Sequence, residues 1–179
     1  DNIAMNINVL EAARRTGINK VVSFMSTCVF PSGATYPLTV EQIHNGEPHH
    51  TNYAYGYAKR MLEVQSRAYR EQYGCNFVTV IPCNIYGPND NFDLDSSHVI
   101  PGLIHKCYLA KQNNTNFEVW GTGKAYREFI YAEDVGYITQ WVLENYNDAE
   151  PLIISPDEEI SITEVAQHIA WRMEYEGNI

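Results

Sequence analysis

The sequence of 179 residues lacks several features that would each assign it to a class of protein. Its apolar runs are short and broken by Pro, Gly and Asn, and none approaches the roughly 20 residues of a transmembrane helix. Its four cysteines form no C-x-x-C pair and no cluster with histidine at zinc-ligand spacing, so we expect reduced thiols in a cytoplasmic protein. Because only 12 Lys and Arg oppose 22 Asp and Glu, we expect binding neither to nucleic acid nor to anionic membranes.

Hydrophobic residues make up 45% of the chain, enough for a buried core, and their spacing alternates between helical and strand patterns. Helices are predicted over 2–16, 55–72, 99–111 and 132–146, and a fifth helix begins at Ser161, with Glu164 completing a capping box. Strands are predicted over 20–25, 76–82, 117–120, 128–131 and 152–154. This alternation favours an α/β fold with a mainly parallel sheet.

Polar residues follow two of the predicted strands directly. Ser26, Thr27 and Cys28 come after the first strand, and Cys83 and Asn84 come after the second. Ligands of parallel α/β sheets bind beyond the carboxyl ends of the strands. Both clusters are therefore candidate site residues.

The most informative pattern is Tyr55-x-x-x-Lys59 on the predicted helix 55–72. Residues four apart on a helix share one face, so the phenol and the ammonium are expected side by side. A phenol ordinarily has a pKa of about 10, but a neighbouring cation stabilises the phenolate. With the Ser26 hydroxyl holding a carbonyl group, the three side chains form a proton donor for a carbonyl that receives hydride. A tyrosine and a lysine at this spacing are common in proteins. What favours a catalytic role here is the position of the motif between two predicted strands that lead into Ser26 and Cys83.

Taken in order, these motifs resemble the extended short-chain dehydrogenase/reductase family over nearly the whole chain. The helix 6–13 (NINVLEAA), the loop 84–88 (NIYGP) and the segment 127–135 (REFIYAEDV) are similar to that family. Related enzymes of the family generally lack the combination of Cys28 and His98. Within it, the chain resembles the GDP-L-fucose synthases in the segments 26–31 (STCVFP), 87–92 (GPNDNF), 97–101 (SHVIP) and 119–123 (VWGTG).

The resemblance implies epimerisation of GDP-4-keto-6-deoxy-D-mannose at C3 and C5, followed by reduction of the 4-keto group by NADPH. It makes Cys28 and His98 the acid–base pair, with Ser26 and Tyr55 stabilising the enolate. Both carbons lie next to the ketone, and thiols and imidazoles, with ordinary pKa values of about 8.5 and about 6.5, suit proton transfer there. Without the resemblance, Cys28 is more simply a small buried side chain and His98 a helix cap or surface group.

The resemblance also implies binding residues for the cofactor and for the sugar nucleotide. Lys106, Trp120 and Arg127 would contact the GDP-sugar, and the two cations would offset the negative field of the protein. From the residues alone, Trp120 is equally compatible with the core, and Arg127 with an ion pair. NADP(H) would contact Phe24, Met25, Ser26, Thr27, Lys59, Pro82, Cys83, Asn84, Ile85 and His98.

The implied fold is a Rossmann-like doubly wound parallel sheet, truncated at its N-terminal βαβ part, with part of a smaller substrate-binding lobe. The remainder of the NADP-binding domain is expected over 1–97 and 127–150, and the partial lobe over 98–126 and 151–179. Neither G-x-G-x-x-G nor G-x-x-G-x-x-G occurs, although the family uses such a loop to hold the cofactor pyrophosphate. We therefore expect a fragment that binds NADPH poorly on its own and is inactive.

A homodimer through 2–16 and 56–72 is also implied, although core packing explains the apolar residues of these helices equally well. Two other functions stay open: another extended-family enzyme, such as a nucleotide-sugar 4-epimerase or dehydratase, and a non-catalytic module that binds a nucleotide sugar or a protein. A dehydratase needs a further acid and base near the tyrosine, and the sequence shows no such pair. The presence of Ser26, Tyr55 and Lys59 together argues against the non-catalytic module.

Overall fold

Helices and strands alternate along the computed structural model, which describes residues 1–179, and the predicted α/β class is confirmed. The helices are α1 (Asn2–Arg15), α2 (Tyr53–Tyr73), α3 (Val99–Asn113), α4 (Ala132–Asn145) and α5 (Ile162–Arg172). The strands are β1 (Lys20–Phe24), β2 (Asn76–Pro82), β3 (Asn84–Tyr86), β4 (Tyr126–Arg127), β5 (Phe129–Tyr131), β6 (Leu152–Ile154) and β7 (Ile160–Ser161). None of these helices combines the length and the apolar composition that a bilayer crossing requires.

The main sheet has three parallel strands in the order β1–β2–β6. The central strand β2 is buried over residues 77–82, which accounts for its unbroken run FVTVIP, because a parallel strand covered on both faces has no solvent side. β1 and β2 pair in register from Lys20 opposite Asn76 to Phe24 opposite Val80. Their carboxyl ends therefore lie side by side at one edge of the sheet.

The chain divides into two compact units, the first made of 1–83 and 134–155 and the second of 84–133 and 156–179. These boundaries differ from those that the resemblance implied, and the roles of the units in cofactor and substrate binding stay predictions. The core of the first unit includes Leu10, Val29, Ile43, Leu62, Phe77 and Ile81. The core of the second unit includes Leu103, Cys107, Phe117, Val165 and Ala166.

Local sequence signals account for the limits of two helices. α2 ends at Gly74, whose left-handed φ of 67° suits glycine because it lacks a Cβ. α5 begins after Ser161, whose hydroxyl accepts from the Glu164 N–H at 3.2 Å. The Glu164 carboxylate in turn accepts from the Ser161 N–H at 2.9 Å, so the predicted capping box is confirmed.

One predicted strand, over 117–120, is wrong. Its apolar character comes from Phe117, which is buried in the core of the second unit and whose N–H donates to the Asn178 carbonyl at 2.9 Å. At the other end Trp120 is 68% exposed, so the alternative of a core tryptophan is also wrong. Conversely, β3 was not predicted, because its turn-rich surroundings conceal a strand that forms by pairing with β5.

Candidate active site

Tyr55 and Lys59 lie one turn apart near the beginning of α2, as predicted. The Lys59 ammonium lies 5.9 Å from the centroid of the Tyr55 ring. Tyr55 is 39% exposed, whereas Lys59 is half-buried, and this burial lowers the pKa of its ammonium. A partly desolvated cation interacts more strongly with a neighbouring negative charge than an exposed cation does. The helix therefore presents an accessible phenol beside a cation that can stabilise its anion.

The same ammonium connects α2 to the main sheet. Lys59 Nζ donates to the carbonyl oxygen of Phe24, the last residue of β1, at 2.8 Å. An ammonium has three N–H donors, so two remain for a ligand. This bond also places Lys59 beside the segment 25–28, which contains the predicted serine and cysteine.

Ser26 and Cys28 lie in the turn that follows β1. The Met25 N–H donates to the Val80 carbonyl at 2.8 Å, which extends the pairing with β2 by one residue. Residues 27–29 then form a single 3-10 turn, and Ser26 Oγ accepts from the Cys28 N–H at 3.3 Å. Accepting this bond leaves the Ser26 O–H available as a donor. Ser26 can therefore still hydrogen-bond a carbonyl oxygen.

The turn lies directly against α2 because Gly56 has no side chain. A Cβ at this position would lie 2.7 Å from the carbonyl oxygen of Cys28 and 2.7 Å from the Cβ of Pro48. Gly56 follows Tyr55 in the sequence, so this close approach holds the backbone of Cys28 next to the turn of helix that carries the phenol. Four predicted catalytic residues are thus brought into neighbouring elements of the first unit.

A further contact between α2 and the turn comes from Arg60, whose Nε donates to the carbonyl oxygen of Val29 at 2.7 Å. Gly56 and Arg60 were not predicted from the sequence. A glycine inside a helix costs about 1 kcal/mol relative to alanine, so Gly56 was a signal that another backbone comes close. No local signal marks the contact of Arg60, because its partner is 31 residues away.

Most of the predicted cofactor-binding residues belong to the first unit. The register of β1, β2 and β6 brings the ends of these strands to the same edge of the sheet. Asn84 and Ile85 belong to the second unit, where the Asn84 amide donates to the Glu128 carbonyl at 2.8 Å. Those in the first unit are Phe24, Met25, Ser26, Thr27, Lys59, Pro82 and Cys83.

His98, the fifth predicted catalytic residue, lies in the second unit directly before α3. Its imidazole is exposed and makes no capping hydrogen bond to the helix. His98 is the N-cap residue of α3 through its backbone, since its carbonyl accepts from the Gly102 N–H at 3.0 Å, and its side chain is a surface group. The predicted role of His98 in proton transfer stays a prediction.

The three predicted substrate-binding residues also lie in the second unit. Lys106 Nζ lies 3.3 Å from the centroid of the Trp120 ring, a cation–π contact between a half-buried side chain and an exposed ring. Burial lowers the pKa of the Lys106 ammonium, and the nearby Glu118 carboxylate opposes this effect. The exposed Arg127 guanidinium donates to the Tyr126 carbonyl at 2.7 Å. Lys106 and Trp120 therefore form a joint cationic and aromatic surface.

The chain is similar to known proteins over its whole length. The sequence profile of the NAD dependent epimerase/dehydratase family matches residues 1–155. The GDP-L-fucose synthase of Dictyostelium discoideum is 50% identical over 100% of this chain and 57% of its own length. The probable GDP-L-fucose synthase of Drosophila melanogaster is 43% identical over 100% of this chain and 59% of its own length.

Among solved structures, a GDP-L-fucose synthetase from Naegleria fowleri bound to NADP superimposes with a TM-score of 0.96. It is 44% identical and covers 99% of this chain, which in turn covers 57% of that protein. This likeness confirms the predicted Rossmann-like fold. The chain spans less than two thirds of the length of each of these relatives.

Proposed function

The chain belongs to the NAD dependent epimerase/dehydratase family, and on this basis we propose that it contributes the catalytic residues of an enzyme that makes GDP-L-fucose from GDP-4-keto-6-deoxy-D-mannose. The observation that carries the proposal is the packing of the turn 27–29 against α2, beside Tyr55 and Lys59. This arrangement combines groups for proton transfer and for carbonyl reduction. The names of the relatives support the choice of sugar nucleotide.

NADP(H) is the proposed cofactor, and the donors of the first unit fit a ribose-bearing dinucleotide. After its bond to Phe24, Lys59 keeps two N–H donors for ribose hydroxyls, and Thr27 follows β1 at the edge where parallel sheets bind nucleotides. When bound, the cofactor supplies a hydride to C4 of the sugar. Because residues 1–179 contain no glycine-rich loop for the pyrophosphate, we propose that on their own they bind it weakly and do not turn over.

In the proposed epimerisation, Cys28 and His98 move protons at C3 and C5. One group removes the proton next to the ketone, and the other returns a proton to the opposite face of the carbon. The Ser26 O–H donates to the 4-keto oxygen, and this hydrogen bond strengthens as negative charge develops there in the enolate.

In the proposed reduction, Tyr55 donates its phenolic proton to the 4-oxygen of the sugar as C4 accepts the hydride. The Lys59 ammonium stabilises the phenolate that remains. The bond from Lys59 to Phe24 keeps this ammonium in place through both reactions. Proton donor and cation are therefore held by one helix.

For the sugar nucleotide, we propose that Lys106, Trp120 and Arg127 hold the GDP group. Lys106 and Arg127 supply positive charge for the pyrophosphate in a protein whose formal net charge is -10. The Trp120 ring, which is 68% exposed, offers a flat surface to the nucleotide and keeps the Lys106 ammonium above it.

We further propose a cytoplasmic homodimer. Free cysteines suit a reducing compartment. Ile3, Met5 and Val9 on α1, and Met61 and Val64 on α2, are exposed apolar side chains. A second copy that covers the helices 2–16 and 56–72 would remove this apolar surface from water.

The test is a product assay with the full-length protein, GDP-4-keto-6-deoxy-D-mannose and NADPH. Formation of GDP-L-fucose is expected. Another sugar nucleotide as product would favour a different extended-family enzyme, such as a 4-epimerase or a dehydratase. Tight binding of the GDP-sugar without any turnover would favour a non-catalytic module.

A further inference from the structure

Two consecutive cations of α2 hold the two ends of one short segment. Lys59 Nζ donates to the carbonyl of Phe24 at 2.8 Å, and Arg60 Nε donates to the carbonyl of Val29 at 2.7 Å. Between these two carbonyls lie residues 25–28, which include the proposed catalytic serine and cysteine. The helix therefore anchors the segment at its beginning through Lys59 and at its end through Arg60.

Arginine is an unusual residue at a buried position that lacks a carboxylate partner. Arg60 is only 5% exposed and forms no ion pair, and its Nη2 makes no hydrogen bond. The ring of Tyr57, with its centroid 5.2 Å from the guanidinium carbon, is its cation–π neighbour, and burial lowers the pKa of Arg60. Burying a cation without a carboxylate is unfavourable, and an apolar side chain of similar length would fill the space without that cost. Packing alone therefore does not explain an arginine here, whereas the directed bond to Val29 does.

Apolar packing also holds this segment, because Met25, Val29 and Phe30 are buried in the core of the first unit. Within it, the Val29 N–H donates to the Ser26 carbonyl at 3.0 Å and the Phe30 N–H to the Thr27 carbonyl at 3.2 Å. These bonds fix the shape of the turn but not its distance from α2. Beside the packing of Val29 and Phe30 in the core, the directed contacts between the turn and α2 are the bond from Arg60 and the close approach of Gly56 to the carbonyl of Cys28.

We propose that Arg60 is a positioning residue for Cys28 and sets the place of the thiol by fixing the carbonyl of Val29. The inference rests on the proposed function, in which Cys28 exchanges protons with the sugar. Because Lys59 anchors the beginning of the segment independently, loss of Arg60 displaces Cys28 more than Ser26. A displacement of about 1 Å can lower a rate by about a hundredfold. Loss of Arg60 should therefore slow proton exchange while hydride transfer continues.

The test compares Arg60→Met and Arg60→Lys with the matched control Arg67→Met, all in the full-length protein. Arg67 lies on the same helix two turns further along, where it pairs with Glu63 and not with the turn. Proton exchange is measured without NADPH, as deuterium incorporation at C3 and C5 of GDP-4-keto-6-deoxy-D-mannose. Hydride transfer is measured separately, as oxidation of GDP-L-fucose by NADP+.

For Arg60→Met we expect exchange to fall about tenfold or more while hydride transfer stays close to the wild-type rate. Arg60→Lys, which keeps a cationic donor, should recover part of the exchange. Arg67→Met should lower both rates by the same factor if it lowers them at all. An equal loss of both activities in Arg60→Met, relative to the folded fraction measured by circular dichroism, would overturn the inference.

A second measurement does not depend on the sugar. Alkylation of Cys28 by iodoacetamide, followed by mass spectrometry with half-buried Cys75 as the internal reference, reports the position of the turn. We expect faster alkylation of Cys28 in Arg60→Met and an unchanged rate in Arg67→Met. The wild-type protein could show neither proton exchange nor hydride transfer with these sugar nucleotides, while Cys28 is still alkylated faster in Arg60→Met than in Arg67→Met. In that case the proposed function fails and the anchoring role stands. An unchanged Cys28 rate in Arg60→Met refutes the anchoring role whatever the activity.

Discussion

The backbone of Gly56 approaches the carbonyl oxygen of Cys28 so closely that a Cβ on the glycine would lie 2.7 Å from it. Such a distance is too short for a carbon and an oxygen that are not bonded, so only glycine permits it. The contact joins the helix that carries the proposed proton donor Tyr55 to the turn that carries the proposed thiol.

Gly56→Ala is expected to destabilise the protein, although the same change inside a helix ordinarily stabilises by up to about 1 kcal/mol. The added methyl group would press against the Cys28 carbonyl and the Pro48 ring, and such overpacking costs about 1–3 kcal/mol. Urea denaturation of the full-length protein measures the difference. The control is Gly136→Ala in α4, where a Cβ meets nothing within 4 Å and a small gain in stability is expected. Increased stability of both variants would contradict this prediction, because it would show that the turn moves to accommodate the added methyl group at little cost.

Tyr55→Phe is expected to lower hydride transfer by about a hundredfold or more, since a positioned general acid contributes about 10²–10⁴-fold. The ring stays beside Lys59, so folding and cofactor contacts should be preserved. Deuterium incorporation at C3 and C5 should fall much less, because the phenol only assists the enolate there. Both rates are measured on the same full-length preparation. Normal NADPH oxidation by this variant would remove Tyr55 from the mechanism.

Cys28→Ser is expected to have the opposite effect. A hydroxyl is a much weaker acid than a thiol, so deuterium incorporation at C3 and C5 should fall strongly while oxidation of GDP-L-fucose by NADP+ continues. Cys75→Ser is the matched control, because Cys75 is also half-buried and free but follows the end of α2, away from the turn. Unchanged deuterium incorporation in Cys28→Ser would exclude the thiol as an acid–base group.

Trp120→Leu is expected to raise the KM for the GDP-sugar severalfold and to change kcat little, because Trp120 contributes binding surface and not chemistry. Trp171 offers a close control: it is equally exposed at 68%, and Arg172 lies over its ring at 4.6 Å. Steady-state kinetics of Trp171→Leu should match those of the wild type. Equal effects of the two substitutions would point to a general loss of surface structure.

The capping box of α5 predicts a pH-dependent contribution to stability. Hydrogen bonds from the hydroxyl and N–H of Ser161 lower the pKa of the Glu164 carboxyl below its ordinary value of 4.5. A lowered pKa in the folded state means that the stabilisation is present above pH 4.5 and is lost as the pH falls through the lowered value. In thermal unfolding, the melting temperature of Glu164→Gln should lie below that of the wild type at pH 7. In strong acid the two melting temperatures should be closer.

The exposed Glu71 on α2 provides the comparison for this effect. Glu71→Gln should leave the melting temperature almost unchanged at both pH values, because surface substitutions away from caps and cores are usually neutral. A difference between wild type and Glu164→Gln that does not shrink in acid would contradict the role of the ionised carboxylate.

Local sequence patterns predicted the placement of side chains within a single helix or at the end of a strand. They did not predict contacts between residues that are far apart in the sequence. Helical spacing was enough to place Tyr55 beside Lys59, and strand order was enough to place Ser26 at the edge of the sheet. The contact of Arg60 with Val29 crosses 31 residues and leaves no periodic trace in the sequence. Phe117 was assigned to a strand because burial of a single aromatic ring gives the same apolar signal as a short strand.

Four residues of α2, namely Tyr55, Gly56, Lys59 and Arg60, occupy two adjacent stripes of a single helical turn and a half. Tyr55 and Lys59 form the stripe of proposed catalytic side chains, and Gly56 and Arg60 form the stripe that contacts the backbone of residues 28 and 29. Through these contacts α2 is tied to both ends of the segment 24–29, so a change in the position of this one helix alters the surroundings of phenol, amine and thiol together.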